Sequence, residues 1–342
     1  MLSWFLIAAI LSFVFSAAVR RIALRYRIVD MPGEDRKIHL NPVPLLGGVG
    51  VYLSFAATLL FAATTTGRIV SPIIGKGISW QMIIGVLAGG LVLMIGGVLD
   101  DIYRLKAKQQ IWFPILAALI VVICGVGVSK LTNPLGGIIL LAAPLSGIVV
   151  FPWLMGTSYA TKLFDGLDGL VTGLTVIGAL LIMMLGLTTK YYQPDVALIA
   201  IIAAGAFIGF LPWNFHPARM FLGEGGSLFA GYMLGVLSVI SGAKIAVALM
   251  ALGVAVIDAG WVILRRVWQK SSIASADRKH LHFRLLDAGL SHRTSVIFIW
   301  FISAAFGAAT LTLQSSGKLI AFIILAVVTL VVGLATILQK RK

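Results

Sequence analysis

Lys162-Leu163-Phe164-Asp165-Gly166-Leu167-Asp168-Gly169-Leu170 sets two carboxylates three residues apart, each followed by glycine. One apolar run ends near Phe151 and the next starts near Val171, so the stretch joins two segments of membrane-spanning length. On a helix this spacing puts both carboxylates on one face. The glycines let a second backbone or a ligand come close. Acids at a membrane edge are costly unless they meet a cation, a base or water. The stretch therefore reads as a functional site at the end of two spans.

Outward from it the chain stays apolar. Hydrophobic types make up 60% of 342 residues and charged types 11%, with mean hydropathy +1.04. A soluble domain carries about 25% charged residues. Eleven stretches reach the roughly 17–25 residues that a spanning helix needs. They run about 1–19, 46–66, 82–99, 111–129, 135–155, 171–188, 195–213, 227–243, 245–264, 294–313 and 318–338. No linker, charge block or internal repeat divides them, so the expectation is one all-α integral membrane domain over 1–342. The first run has no basic residue before it and is followed by Arg20 and Arg21, which suits an uncleaved helix with its N-terminus outside. The lone Cys124 excludes a disulfide framework and cysteine-held zinc.

Charge sets the orientation. With residue 20 cytoplasmic, 21 of 27 Lys/Arg fall inside, and the C-terminus is cytoplasmic too. The net charge of +15 then belongs to loops on the cytoplasmic leaflet of the plasma (inner) membrane, not to nucleic-acid binding. All five histidines and every acid except Asp195 share that face. A transporter or lipid flippase would place ionisable groups at the midplane and show repeats. Only Asp258 lies within an apolar run, where it must face protein.

Five inside segments carry groups suited to phosphate chemistry. Asp30-Met31-Pro32, Arg36-Lys37-Ile38-His39 and Pro42-Val43-Pro44 offer donors on a stiffened loop, or a basic contact with anionic lipid. Asp100 and Asp101 end a span against the unfavourable end of the helix dipole. They point roughly 100° apart, so one could be a base while the other takes a different task. Asp165 and Asp168 form the third group. Asn214 and His216-Pro217-Ala218-Arg219 lead into Phe221-Leu222-Gly223-Glu224-Gly225-Gly226, an acid in a glycine-rich turn where N–H groups can hold phosphate. Asp277-Arg278-Lys279-His280-Leu281-His282-Phe283-Arg284 suits pyrophosphate or a metal pair. Carboxylates with His, Lys and Arg imply a hard cation bridging phosphates, Mg²⁺ with Mn²⁺ as the alternative.

These motifs, in this order over nearly the whole chain, resemble the polyprenyl-phosphate N-acetylhexosamine-1-phosphate transferases, also called glycosyltransferase family 4. The histidine loop is most similar to the undecaprenyl-phosphate GlcNAc-1-phosphate transferase branch. The resemblance implies an enzyme of EC 2.7.8 type with two substrates, a UDP-sugar and polyprenyl phosphate, giving polyprenyl-diphosphate-sugar and UMP. By the same resemblance, Asp100 and Asp101 include a base for the lipid phosphate and a metal neighbour, and Glu224 is a metal ligand. Asp165 and Asp168 line the nucleotide site, Phe221 stacks on uracil, and Lys37, His39, His280, His282 and Arg284 hold phosphates; Asn214 is a further substrate-binding candidate, and Lys162 could pair with Asp165 or bind a phosphate. The chain departs from the family pattern at four places. Tyr159 and Lys162 stand where the family has Asn, Glu224 where it has Asp, and Phe283 where it has His. A CDP-alcohol-type phosphotransferase also uses Asp-Gly pairs, but wants Ala-Arg where Leu170-Val171 follows here.

Overall fold

Backbone polar groups in lipid must be satisfied within their own segment, so long apolar runs fold as helices. The computed structural model describes residues 1–33, 41–66, 77–133, 137–189, 191–242, 244–270 and 280–339. Its helices are α1 (Leu2–Arg25), α2 (Gly47–Thr66), α3 (Trp80–Tyr103), α4 (Ala107–Gln110), α5 (Trp112–Ile123), α6 (Ala143–Phe164) and α7 (Leu170–Leu187). They continue with α8 (Pro194–Asn214), α9 (Gly223–Ile240), α10 (Ile245–Ala251), α11 (Gly253–Trp268), α12 (Leu281–Asp287), α13 (His292–Thr312) and α14 (Ser315–Gln339). Two short antiparallel ribbons interrupt them: β1 (Val29–Asp30) with β2 (Val43–Pro44), and β3 (Lys130–Thr132) with β4 (Ile138–Leu140).

Eight of these helices are long and apolar enough to cross a membrane, or nine if α10 and α11 count as one span. The protein is a polytopic membrane protein. Three of the eleven expected runs differ in form. The run 111–129 yields only the twelve-residue α5, because Gly125 takes φ +89° and the chain turns toward β3. The run 135–155 starts as β4, and its helix α6 continues to Phe164 instead. The run 245–264 is bent by 75° between α10 and α11, where Gly253 packs against Leu325 with no room for a side chain.

Helices α7, α8 and α9 form the buried centre, while α1, α13 and α14 turn most of their surface outward. Small residues let backbones meet without a solvent-driven hydrophobic force. Gly97 of α3 lies against Gly225, and Gly48 of α2 against Gly226, each pair too close for a Cβ. Thr161 of α6 donates to the Ser227 carbonyl at 2.7 Å. The first turn of α9 is thus gripped by α2, α3 and α6, which fixes Glu224 among three helix ends. Gly97→Val should lower the thermal unfolding midpoint in detergent, since overpacking a close contact costs about 1–3 kcal/mol or more. An unchanged midpoint would show that the α3–α9 approach is not needed.

The same end collects the inside segments. Arg20 Nε donates to the Arg219 carbonyl at 3.2 Å, and Phe221 N–H to the Pro44 carbonyl at 2.9 Å. Asp195 and Lys244 lie at the other end, where Asp195 and Gln193 line a cavity of about 400 Å³. Lys244 donates to Gln193 there at 2.6 Å, and burial with the nearby Lys318 charge brings its pKa down to about 8.

Candidate active site

Helix α3 stops where Arg104 takes a left-handed conformation, φ +51°. Asp100 fixes the turn that follows: its Oδ1 accepts from Leu105 N at 2.7 Å and from Gln110 Nε2 at 2.8 Å. Its neighbour Asp101 points elsewhere and accepts the Glu224 N–H at 3.2 Å. That approach needs Gly223, at φ +74°, because a Cβ there would collide with the Asp101 carboxylate. Adjacent acids therefore hold two different elements. Both line a cleft of about 730 Å³ with Asp30 and Gln110, walled by Leu24, Ile28 and Ile102.

The Asp165–Asp168 pair is not on a helix. Helix α6 ends at Phe164, and both acids occupy the turn into α7, which closes through Gly169 at φ +82°. Spacing along a helix face therefore does not describe them; the glycines that admit close neighbours also end the helix. Asp168 Oδ2 accepts from His216 Nδ1 at 2.7 Å and from Ala218 N at 3.0 Å. The Asp168 N–H donates to His292 Nε2 at 2.8 Å, and the two imidazoles stack at 4.0 Å. Asn214 braces this turn: its Oδ1 accepts from Gly169 N at 3.1 Å and Thr172 Oγ1 at 2.6 Å, while Nδ2 donates to the Met220 carbonyl. Its amide is largely committed to the fold and not to an open site. Asp165 is different. Among the described residues its carboxylate has no hydrogen-bond partner, and burial first, then the charges of Glu224 and Asp168, push its pKa up to about 7.

Lys162, one turn before Asp165, meets Glu224 in an ion pair and donates to Gln110 Oε1 at 3.0 Å. Its ammonium also lies 5.5 Å from the Tyr159 ring centroid. A polar chain therefore runs from Asp100 through Gln110 and Lys162 to Glu224, joining α3, α4, α6 and α9. Glu224 occupies the first turn of α9, where the dipole favours a negative charge.

The three residues expected to hold a metal have different partners in the structure. Glu224, Asp100 and Asp101 do not converge on one point: Asp100 faces Leu105 and Gln110, Asp101 faces the Glu224 amide, and Glu224 already holds an ammonium. Glu224 and Lys162 cancel each other's charge, so a cation at Glu224 would have to compete with the ammonium for the carboxylate. Among the described residues, the one group of three with potential ligand atoms within 4.8 Å is Asp168, His216 and His292. There His216 Nδ1 and His292 Nε2 are engaged with Asp168 itself.

The histidine loop packs under the same turn. Asp258 of α11 accepts from His280 Nδ1 at 2.6 Å and Leu281 N at 2.8 Å, so it faces protein and starts α12. His282 is fully buried with its Nε2 against Gly166, and no ring nitrogen has a partner among the described residues. Burial, then His280 and His292, hold its pKa well below the usual histidine value, so it is neutral at pH 7. Arg284 Nη1 reaches the Gly333 carbonyl of α14 at 3.4 Å. Phe221 is pinned by its backbone to Pro44 and Gly47. Lys37 and His39 lie outside the described residues. Sequence reasoning gave no role to His292 or Gln110. Nothing near Gln110 signals one, and His292 stands beyond the histidine loop.

Comparison with known proteins identifies the family. The family model described as glycosyl transferase family 4 matches residues 83–242, which contain Asp100 through Glu224. The chain is 35% identical over 362 aligned positions to a decaprenyl-phosphate N-acetylglucosaminephosphotransferase of Mycolicibacterium smegmatis, covering 95% of this chain and 87% of that protein. It is 33% identical to the protein of the same description from Mycobacterium tuberculosis, over 97% of this chain and 87% of that one. A phospho-N-acetylmuramoyl-pentapeptide-transferase of Desulforudis audaxviator is 29% identical over 87% of this chain and 92% of its own length. Similarity of that depth along nearly the whole sequence leads to one conclusion: the protein is a member of glycosyl transferase family 4.

Proposed function

We propose that this protein transfers a sugar 1-phosphate, GlcNAc-1-phosphate in the first instance, from a UDP-sugar to polyprenyl phosphate. The observation that carries the reading is the meeting of Asp101, Glu224 and Lys162 beside a cleft walled by apolar side chains. In the reaction, an oxygen of the lipid phosphate attacks the phosphorus that bears the sugar. The bond from that phosphorus to the bridging oxygen breaks, and UMP leaves with the electron pair. Both partners are anionic, so alignment and charge neutralisation dominate the barrier.

The lipid phosphate reaches Asp101 along the cleft. Asp165, whose carboxylate has no hydrogen-bond partner among the described residues and whose pKa lies near neutrality, takes any proton that phosphate carries. Asp168, ordered by His216 and Ala218, lines the nucleotide side with Phe221 and the Asn214 brace. His280, Lys37 and His39 contact phosphate in this reading, and the buried His282 supports the Gly166 turn. Arg284 supports the phosphate-binding surface from α12.

The site faces the cytoplasm in this reading, with the N-terminus outside and the nascent lipid-linked glycan begun at the inner membrane. In a Cys124→Ser background, Tyr192→Cys should react with an impermeant thiol reagent on intact cells, and Lys108→Cys only after lysis. The reverse pattern would overturn the orientation. The activity test offers purified protein several UDP-sugars with undecaprenyl phosphate and measures UMP. Release with UDP-GlcNAc that depends on the lipid supports the assignment. Release with another UDP-sugar alone would move the sugar, and none with any would contradict the reaction.

A further inference from the structure

We infer that the Lys162 ammonium is a built-in cation that stands where a divalent ion would otherwise act, so that the transfer needs no bound metal. The inference rests on the sugar-phosphate transfer reading and names the charge-neutralising group of that site. Lys162 and Glu224 touch each other and form one ion pair at the centre of the site.

The pair is built into the fold and is not a surface contact. Lys162 and Glu224 side chains are 19% and 17% exposed. Gln110 holds the ammonium at 3.0 Å while Asp100 holds Gln110 at 2.8 Å, and Tyr159 offers its ring face. A lysine ammonium has three N–H donors. Glu224 and Gln110 take two, and the third has no partner among the described residues, so it is available to a phosphate oxygen. Asp165, one turn along, has a carboxylate without a partner as well. Anionic oxygen placed between these groups would find one fixed positive charge, oriented before the substrate arrives, which is the condition for electrostatic stabilisation of charge shifted to a leaving phosphate. A metal at this point would have to displace the ammonium from Glu224 first.

The test uses the full-length protein in detergent, stripped with EDTA, with UDP-GlcNAc and undecaprenyl phosphate. UMP release by the wild type is expected to stay within about twofold on adding EDTA or millimolar Mg²⁺. Lys162→Asn should lose about 10²–10³-fold in EDTA, the size seen when one stabilising donor is removed. The double variant Lys162→Asn with Glu224→Asp should regain turnover only when Mg²⁺ is present. Wild-type turnover that EDTA abolishes and Mg²⁺ restores would overturn the inference while leaving the transferase reading intact. So would undiminished turnover of Lys162→Asn in EDTA. Mn²⁺ binding by electron paramagnetic resonance decides the matter even if no UDP-sugar is turned over, which would count against the reaction alone. Mn²⁺ held by Lys162→Asn but not by the wild type supports the built-in cation; Mn²⁺ held equally by both contradicts it.

Discussion

Asp165→Asn is expected to lower turnover by about 10²–10⁴-fold, the usual worth of a positioned base, without loss of folded protein. Its carboxylate makes no hydrogen bond among the described residues, so the amide removes no structural contact there. What is lost is the ability to take a proton. Burial and the charges of Glu224 and Asp168 raise the Asp165 pKa to about 7. The base form is therefore scarce below neutrality and accumulates as pH rises, so wild-type turnover should climb through about pH 7 and level off above it. In Asp165→Asn that rise should disappear along with the rate. A variant that keeps both the rate and the ascending limb would remove Asp165 from the chemistry.

Asp101→Asn should be the other severe change, and Asp100→Asn a milder one. Both acids line the cleft, but their bonds differ. Asp100 uses Oδ1 for both Leu105 N and Gln110 Nε2, and an asparagine oxygen can accept the same two bonds. Asp101 presses its carboxylate against Gly223 and takes the Glu224 amide, so an amide nitrogen there brings a donor to a position shaped for acceptors. Leaving a buried polar group such as the Glu224 amide unpaired costs about 1–3 kcal/mol, or roughly fivefold to two-hundredfold in rate if the bond is needed in the transition state. Steady-state UMP release, with folded yield measured in parallel, separates the two. Equal losses in both variants would contradict the division of labour.

The sequence made the apolar helices legible because membrane spans announce themselves by length alone. It made the clustering legible too, since acids and histidines confined to alternate loops must meet at one end of the bundle. Local backbone events were less visible. The α10–α11 bend occurs inside an unbroken apolar run, and its visible cause, Gly253 against Leu325, is a contact between distant segments. The spacing of the Asp-Gly repeat would share one face on a helix, but Gly169 in a left-handed conformation makes the stretch a turn. Least visible were the pairings. Gln110 sits in a four-residue helix with no pattern to mark it, and only the folded chain shows it holding Lys162 and Asp100 at once. Asn214, a candidate contact by motif, proves to be a brace because it ties the first turn of α7, at Gly169 and Thr172, to Met220.

The central claim is that phosphorus, not only sugar, moves to the lipid. UDP-GlcNAc carrying ³²P in the sugar-linked phosphate tests it in one experiment with purified protein and undecaprenyl phosphate. Transfer of the sugar phosphate predicts label in the extracted lipid and unlabelled UMP in the aqueous phase, in equal molar amounts. Label retained in released UDP, with unlabelled sugar on the lipid, would mean cleavage at the sugar carbon and would contradict the account.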